Sequence, residues 1–293
     1  MTKLGFIGLG TLGGRIAKRL LDAGYQVAGY NRTRAKADAL TQAGLQLYDT
    51  PREVVQNADI TFSMVSDTAA LLSITDGADG VLAGLGVGKI YVDMSTVSPQ
   101  LIRELAQRVT KTGGHMLEAP VSGSVPAVEA GTLVFYVGGD ADVLEEVRPV
   151  FEKLGQKIIH MGANGQGVTT KIAINLSMPI QLIALFEGVL LAERSGIPRQ
   201  AALDALLNSV IASTAMKYRA PLILNMPDEV WFNVAMMQKD IQLALDLGKE
   251  VGVPLQTVQL SHEVLTQAIA MGYTDQDFAA LFKVQAYMAG QEA

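Results

Sequence analysis

The chain of 293 residues has no cysteine, one tryptophan and three histidines. Without cysteine, disulfides and thiolate chemistry are excluded. His115, His160 and His262 show no metal-ligand spacing, so no metal site is predicted. Lysine and arginine (23) are outnumbered by aspartate and glutamate (29). No long basic run occurs, and we therefore predict that nucleic acid is not a partner.

Long apolar runs are also scarce. The first ten residues, "MTKLGFIGLG", are too short and too broken by glycine for a signal peptide or a membrane span. The longer stretch "MPIQLIALFEGVLLAE" is interrupted by Gln181 and Glu187, which favours a buried core helix. We therefore predict a cytoplasmic protein with no membrane partner.

The first half of the chain alternates short apolar runs with helical periodicity. The predicted strands are "KLGFIG", "YQVAGYN", "ADITFSMVS", "GKIYVDMS", "LVFYVGGD" and "KIIHMG". Strands that alternate with helices are typical of an α/β fold with a doubly wound parallel sheet. We therefore predict a domain of this kind over residues 1–162.

The second half, residues 163–293, shows helical periods alone and predicts an all-helical domain. Its first helix is expected from about Val168 to Arg194. Pro179 should kink this helix or be accommodated where a backbone hydrogen bond is already missing. Later breaks between helices are predicted at "SGIPRQ", "NMPDEV", "VGVPLQ" and "MGYTDQD".

A glycine motif follows the first predicted strand and opens a helix. Gly8 permits a tight turn, Gly10 lets the backbone approach a pyrophosphate, and Gly13 lets helix and strand pack closely. Free N–H groups at the start of that helix then hold the anion. In this context the motif predicts a dinucleotide site.

The end of the second strand indicates which dinucleotide is bound. An NAD site usually carries an acidic residue there, whereas this chain has Asn31, Arg32 and Thr33, with Arg34 and Lys36 nearby. Arginine and a hydroxyl suit a 2′-phosphate. The cofactor predicted is NADP(H); the alternative is a solvated helix start.

"GQGVTTKIAIN" places Lys171 four residues before Asn175 at the start of an apolar stretch. The sequence alone leaves two interpretations: the lysine reaches solvent from a buried helix, or both side chains face a site.

Two further segments suit a ligand. "DMSTVSP" follows a strand, and the Gly/Ser/Pro loop "EAPVSGSVPAVEAGTL" offers N–H groups to a carboxylate. Lys217 and Arg219 are predicted at the surface, with a second substrate carboxylate as the alternative.

Taken in order, the motifs "GFIGLGTLG", "NRT", "MVSD", "DMST", "EAPVSGS", "GQGVTTKIAIN" and "QKDIQLAL" resemble the β-hydroxyacid dehydrogenase family over nearly the whole chain. The resemblance implies a Rossmann domain, an all-helical domain and hydride transfer between NAD(P)H and a short acid bearing an alcohol or aldehyde. It also implies a homodimer or homotetramer.

By position, the resemblance implies that Lys171 is the general acid/base, that Asn175 is its partner, and that Ser122 and Gly123 hold the substrate carboxylate. Burial and the helix dipole are expected to lower the pKa of the lysine. Asp240 would help to form the substrate site. The implied cofactor-binding residues are Gly8, Leu9, Gly10, Thr11, Leu12, Gly13, Asn31, Arg32, Thr33, Met64, Val65, Ser66, Thr96, Phe232 and Lys239.

Within this family the chain looks more like the glyoxylate and succinic semialdehyde reductase branch, since Ser124 and Ile174 depart from the 3-hydroxyisobutyrate dehydrogenase pattern. That branch prefers NADPH. The alternatives are a 3-hydroxyisobutyrate or tartronate semialdehyde type of dehydrogenase, or a non-catalytic dinucleotide-binding module. Lys171 argues against an imine reductase, and Ile174 against a decarboxylating sugar-phosphate dehydrogenase.

Overall fold

A computed structural model describes residues 2–226 and 229–291. The chain forms two compact units, Met1–Lys171 and Ile172–Ala293. The predicted break at "NMPDEV" includes Pro227 and Asp228, which lie outside the described residues. The predicted domain boundary after Gly162 stays a prediction, and the compact units divide within the helix that follows it.

The first unit alternates strands and helices as predicted. Its strands are β1 Leu4–Ile7, β2 Val27–Tyr30, β3 Gln46–Leu47, β4 Ile60–Ser63, β5 Ile90–Asp93, β6 His115–Glu118, β7 Val121–Ser122, β8 Leu133–Gly139 and β9 Gly155–Gly162. Its helices are α1 Thr11–Asp22, α2 Asp38–Gln42, α3 Pro51–Gln56, α4 Thr68–Thr75, α5 Val81–Gly84, α6 Pro99–Lys111, α7 Val125–Ala130 and α8 Ala141–Phe151.

In the described part of the chain these strands form one nine-stranded sheet with the order β3-β2-β1-β4-β5-β6-β8-β7, and β9 pairs with β8. Strands β1 to β6 are parallel, which confirms the predicted α/β class and places their carboxyl ends at one edge. Strand β8 is antiparallel to β6 and β7, so the sheet is not parallel throughout. Short strands β3, β6 and β7 were not among those predicted.

The core of the first unit lies on both faces of the sheet. Helix α1 buries Ile16, Ala17 and Leu20, a spacing that forms one apolar stripe. Phe62, which is fully buried, contacts Phe6 and Phe151 at ring-centroid distances of 6.3 and 6.0 Å. Helices cover the parallel strands on both faces. The edge formed by the strand ends is therefore the part of the sheet that stays accessible to ligands.

The described residues of the second unit form helices and one isolated bridge between Asn233 and Asp277. The helices are α9 Gln166–Asn175, which begins in the first unit, α10 Ser177–Arg194, α11 Arg199–Leu207, α12 Thr214–Arg219, α13 Val234–Val251, α14 Gln256–Ala270 and α15 Leu281–Met288. These helices agree with the prediction that the second half of the chain is all-helical. Short 3₁₀ segments lie at Arg34–Ala37, Ala220–Ile223 and Phe278–Ala280.

The single helix predicted from Val168 to Arg194 is wrong in one respect, because the structure divides it into α9 and α10 at Leu176. Pro179 explains the break, since it has no N–H to donate to the carbonyl of Asn175. It lies in the first turn of α10, where a missing donor costs little.

By length and composition alone, Gln166–Arg194 would also pass as a membrane-spanning helix, and 44% of its apolar window is buried within the protein. The side chains of α10 that face the interior include Leu182, Phe186 and Val189. They pack in the core of the second unit.

Candidate functional site

Glycines at the end of β1 build an anion cradle. Gly8 has φ +96°, and a Cβ there would lie 2.2 Å from the carbonyl oxygen of Met64. A Cβ at Gly13 would lie 2.1 Å from the carbonyl oxygen of Gly8, so that glycine permits the close packing of α1 on β1. Gly10 faces open space, with nothing within 4 Å of its Cβ position. The loop is therefore closely packed against neighbouring backbone at Gly8 and Gly13, whereas the space beside Gly10 is open.

The start of α1 is suited to an anion. Gly10 is the N-cap residue and supplies no side chain to the first-turn N–H groups, and that turn contains no acidic residue. These N–H groups and the helix dipole together attract a negatively charged group. The residues present thus fit the pyrophosphate of a dinucleotide, with Thr11 and Leu12 in the first turn.

Asn31 connects this loop to the end of β2. Its amide oxygen accepts a hydrogen bond from the Leu9 N–H at 2.8 Å, and its amide nitrogen donates to the Thr33 carbonyl at 2.8 Å. Arg32 and Thr33 are exposed beside it. Asn31 thus positions the segment that carries the predicted 2′-phosphate ligands, a role that the sequence did not indicate.

Arg34, also proposed from the sequence to lie near the cofactor, forms an exposed ion pair with Asp49. A surface ion pair is worth little energetically. It nevertheless gives Arg34 a partner within the protein, which distinguishes it from Arg32 as a candidate ligand.

A buried polar network joins the ends of β4 and β5. The Asp93 carboxylate accepts hydrogen bonds from Ser63 Oγ at 2.7 Å and Ser95 Oγ at 2.8 Å, and Ser95 Oγ accepts from the Val65 N–H at 3.0 Å. The Tyr91 hydroxyl lies 2.7 Å from Ser63 Oγ and must donate, because that serine already donates to Asp93. Burial, reinforced by the Asp93 charge, raises the pKa of Tyr91 well above its usual value.

The network fixes two segments that carry predicted cofactor-binding residues. Met64, Val65 and Ser66 follow β4, and Thr96 follows Ser95 after β5. Met64, Val65 and Thr96 are partly buried, whereas Ser66 is exposed. The fully buried Asp93, which sequence reasoning missed, holds both segments in place.

The segment 118–133 is not the open loop that the sequence predicted. Ser122 belongs to β7 and pairs with Val134, and Gly123 follows with φ +122°. Residues 125–130 then form α7, which ends at the left-handed Gly131. Pro126 in the first turn favours this helix. Ser122 is partly buried and Gly123 exposed, so the predicted carboxylate ligands lie at a strand end.

Glu118 ends β6 and holds the start of α9. Its Oε1 accepts hydrogen bonds from the N–H groups of Gly165 at 2.6 Å and Gly167 at 3.0 Å, and its Oε2 accepts from Asn164 Nδ2 at 2.8 Å. Burial raises the pKa of Glu118 to about 6, although these hydrogen bonds oppose the shift. Sequence reasoning missed this contact, because β6 was not among the predicted strands.

Helix α9 carries Lys171, which is partly buried, and Asn175 in its last turn. Their four-residue spacing places both side chains on one side of the helix. Lys171 is the last residue of the first unit, the unit that also holds the glycine loop and Ser122. The role of Lys171 as acid/base stays a prediction.

In the second unit, Asp240 connects Asn175 to Lys239. The Asn175 Nδ2 atom donates to Asp240 Oδ2 at 2.5 Å, and Lys239 Nζ lies 2.8 Å from Asp240 Oδ1. Asn175 and Asp240 are buried, and the amide oxygen of Asn175 has no hydrogen-bond partner within the described residues. A buried amide oxygen without a partner is costly, which marks it as available to a ligand or water.

Phe232 and Arg219 lie elsewhere in the same unit. The ring of Phe232 packs edge-on against Phe278 at a centroid distance of 6.1 Å. Arg219 was predicted at the surface, but it is 2% exposed and its guanidinium lies 2.6 Å from Asp277. The prediction failed because the acidic partner is distant in sequence; Lys217 is exposed as expected.

Among the described residues, no cluster of three or more His, Asp or Glu side chains is placed to hold a metal.

Comparisons with known proteins agree with this geometry. A family model described as the NAD binding domain of 6-phosphogluconate dehydrogenase matches residues 3–162. Another, described as NAD-binding of NADP-dependent 3-hydroxyisobutyrate dehydrogenase, matches residues 165–285. The solved structure of 3-hydroxyisobutyrate dehydrogenase from Mycobacterium tuberculosis with L-serine has a TM-score of 0.86 and 29% identity, with 97% of this chain and 99% of that chain covered.

Two relatives cover nearly the whole chain. Glyoxylate/succinic semialdehyde reductase 1 of Arabidopsis thaliana is 34% identical over 96% of this chain and 97% of its own length. The human cytokine-like nuclear factor N-PAC is 36% identical over 96% of this chain and 51% of its own length. The chain thus spans about half the length of the N-PAC relatives that it matches.

The fold and the glycine cradle define a protein of the class that binds nicotinamide dinucleotides through a Rossmann domain. Two matching family models and a reductase relative that is similar over almost its full length narrow this further. The chain belongs to the β-hydroxyacid dehydrogenase family.

Proposed function

We propose that this protein is an NADPH-dependent reductase of short aldehyde acids, with Lys171 as the general acid. The similarity to a glyoxylate/succinic semialdehyde reductase supports the substrate class. A 3-hydroxyisobutyrate or tartronate semialdehyde type of dehydrogenase is the alternative within the same chemistry.

The observation that carries the proposal is the connection made by Glu118. This residue ends β6, four residues before Ser122, and its carboxylate binds the segment from which α9 and Lys171 continue. The candidate proton donor and the candidate carboxylate ligands are therefore tied to one strand end. That end belongs to the sheet edge where open α/β folds bind ligands.

The chemistry asked of Lys171 is a proton transfer. Reduction of an aldehyde leaves negative charge on the carbonyl oxygen, which a nearby ammonium group neutralises by giving up a proton. The lysine then regains its proton from solvent. Ser122 and Gly123 would orient the substrate by its carboxylate. Asn175 follows the lysine by four residues on α9, and its side chain is held by Asp240.

The cofactor would be held by residues already described: the α1 start and the glycine loop for the pyrophosphate, and Arg32 with Thr33 for a 2′-phosphate. When bound, NADPH supplies the hydride. The residues fit it because the loop is open at Gly10 and the end of β2 carries no acidic side chain.

Initial rates of NADPH oxidation test the substrate class. The assay compares glyoxylate, succinic semialdehyde, methylmalonate semialdehyde and tartronate semialdehyde. Glyoxylate or succinic semialdehyde should give the highest kcat/KM. A clear preference for methylmalonate or tartronate semialdehyde would move the protein to the alternative branch of the family.

The Arg32→Ala substitution should weaken NADPH binding by about 1.5–3 kcal/mol, because a hydrogen bond to a charged group is worth that much. NADH lacks the 2′-phosphate, so its Kd should change little. Fluorescence titration of both cofactors measures the effect.

Arg34→Ala is the matched control, since that exposed guanidinium already pairs with Asp49. It should weaken NADPH binding less than Arg32→Ala does. Equal losses for NADPH and NADH in the Arg32 variant would contradict the assignment of a 2′-phosphate site.

A second candidate function, from another class, is a non-catalytic module that binds the dinucleotide without turnover. It is supported by 36% identity to N-PAC, which is named as a nuclear factor. NADPH binding with no oxidation in the presence of any aldehyde acid in the panel would favour this module over the reductase.

We also propose a homodimer or homotetramer. Helices α10, α14 and α15 pack on one another and expose large apolar side chains, including Leu191 (72%), Leu260 (58%) and Tyr287 (69%). Large apolar side chains exposed on helices that pack together are typical of interfaces. Sedimentation at micromolar concentration should show an oligomer that Tyr287→Asp weakens. Val210→Asp, at an exposed valine outside these helices, is the control, and a wild-type monomer would refute the proposal.

A further inference from the structure

Glu118 is a buried carboxylate for which the proposed proton transfer has no use, and three of its hydrogen-bond donors lie at or just before the start of the helix that carries Lys171. Its side chain is 0% exposed. Three donors from the segment 164–167 surround it: Gly165 N–H, Gly167 N–H and Asn164 Nδ2, at 2.6, 3.0 and 2.8 Å. A buried carboxylate is costly unless it is fully hydrogen-bonded, so this contact requires correct geometry from all of its members.

Two glycines let the contact close. A Cβ at Gly138, the residue of β8 that pairs with Glu118, would lie 2.1 Å from Glu118 Oε1. A Cβ at Gly167 would lie 2.4 Å from the carbonyl oxygen of Tyr136, also in β8. The start of α9 thus packs closely against β8, and the Glu118 carboxylate lies beside both.

Asn164 makes the contact specific for a carboxylate. Its Nδ2 atom lies 3.3 Å from the Met116 carbonyl oxygen and 3.4 Å from the Gly138 carbonyl oxygen, besides its bond to Glu118. Three acceptor oxygens therefore surround this nitrogen. If the amide group were reversed, the Asn164 side-chain oxygen would face these three oxygens instead. Glu118 is presented only with donors, which an ionised carboxylate accepts and a protonated or amide group does not match.

We propose that Glu118 is a positioning residue, which fixes the height and rotation of the first turns of α9 and thereby holds Lys171 in its working position. The inference rests on the proposed function for its catalytic consequence, whereas the positioning itself is a property of the fold. Lys171 lies four residues after Gly167, about one helical turn beyond the contact.

Glu118→Gln keeps the shape and removes the charge, and its amide nitrogen would face Asn164 Nδ2. Glu118→Asp keeps the charge, but its side chain is one methylene shorter and does not reach the same donors. Both should lower kcat about tenfold, because a displacement of about an ångström is enough to cost that much. The KM for NADPH should stay within about twofold, since the glycine loop belongs to other strands. Glu104→Gln, an exposed glutamate on α6, is the control and should behave as wild type.

The pH dependence separates positioning from a merely structural role. Because the folded pKa of about 6 lies above the ordinary value of 4.5, the stability that Glu118 contributes is present below 4.5 and is lost as the pH rises through 6. Relative to Glu118→Gln, wild-type stability should therefore fall over this range. The kcat of wild type should rise over the same range, as the carboxylate forms, and the kcat of Glu118→Gln should lack that rise.

Other charged or titratable groups near the contact are Asp93, which pairs with Glu118 across β5 and β6, Arg103 beside Gly165, and His160 beside Gly139. His160→Gln therefore accompanies the series. The rise in kcat should persist in that variant. Its loss in His160→Gln, with retention in Glu118→Gln, would assign it to the histidine and overturn the pH argument.

Hydrogen exchange of residues 165–171 provides a measurement that needs no substrate. Glu118→Gln, Glu118→Asp and Asn164→Ala should all speed exchange in this segment, with the smallest effect for Asn164→Ala, which removes one of the three donors. If the wild-type protein turns over no substrate, the exchange result still decides the positioning role. Wild-type exchange together with wild-type kcat in Glu118→Gln would overturn the proposal.

Discussion

Lys171→Ala should lower kcat by about a hundredfold or more, the scale expected when general acid catalysis is lost. NADPH affinity should remain near that of wild type, because the residues proposed to bind the pyrophosphate and the 2′-phosphate lie on the glycine loop and at the end of β2. Steady-state rates and a fluorescence titration of NADPH measure the two quantities separately.

Two further lysine variants sharpen this test. Lys171→Arg should remain inactive, because a guanidinium keeps its proton near neutral pH and cannot act as the acid. Lys111→Ala, at an exposed lysine in the last turn of α6, should have wild-type rates. An active Lys171→Arg enzyme would show that the lysine serves only as the solvated end of a buried helix.

Asn175→Ala should cost less activity than Lys171→Ala, because the amide positions groups and transfers no proton. Its side chain is held at 2.5 Å by Asp240, so Asp240→Asn should reproduce part of the same loss. The order of the kcat values, with the lysine variant lowest, checks this distribution of roles.

Gly8→Ala should produce the second large effect, a loss of NADPH affinity of about a hundredfold together with a stability loss of about 2 kcal/mol or more. The substitution forces a Cβ onto a backbone with φ +96° and to within 2.2 Å of the Met64 carbonyl oxygen. Met64 belongs to the next strand end, so the loop must move. Thermal unfolding and NADPH titration measure both losses.

Two other glycines provide the controls. Gly10→Ala should keep wild-type stability, because nothing lies within 4 Å of its Cβ position, and yet weaken NADPH binding, because that space is where the pyrophosphate would approach. Gly86→Ala, also in open space and away from the loop, should change neither quantity. If Gly10→Ala bound NADPH as wild type does, the cradle would be misassigned.

The parts of the site that depend on local chain geometry were predictable from the sequence. Gly8, Gly10 and Gly13 follow a strand and open a helix, and each has the steric surroundings that the motif requires. The alternation of strands and helices predicted the α/β class, and the helical periods after residue 163 predicted the helices of the second half. Pro179 was recognised as a disruption, although its effect is a break between two helices.

The parts that depend on contacts between distant segments were not predictable. Glu118 meets Gly165 and Gly167 only because β6 and β8 are neighbours in the sheet. Asp93 joins the ends of β4 and β5 for the same reason. Arg219 was expected at the surface, and its buried partner Asp277 lies on a different segment. A charged residue in a single sequence carries no sign of such a partner.

The most direct test of the reductase assignment is a single-turnover experiment, in which protein in excess binds NADPH and is then mixed with glyoxylate or succinic semialdehyde. The nicotinamide absorbance should decay rapidly in wild type and at least about a hundredfold more slowly in Lys171→Ala, with NADPH bound in both. Bound NADPH that persists in wild type with both of these aldehydes, and with methylmalonate and tartronate semialdehydes, would contradict the assignment and leave a dinucleotide-binding module without catalysis.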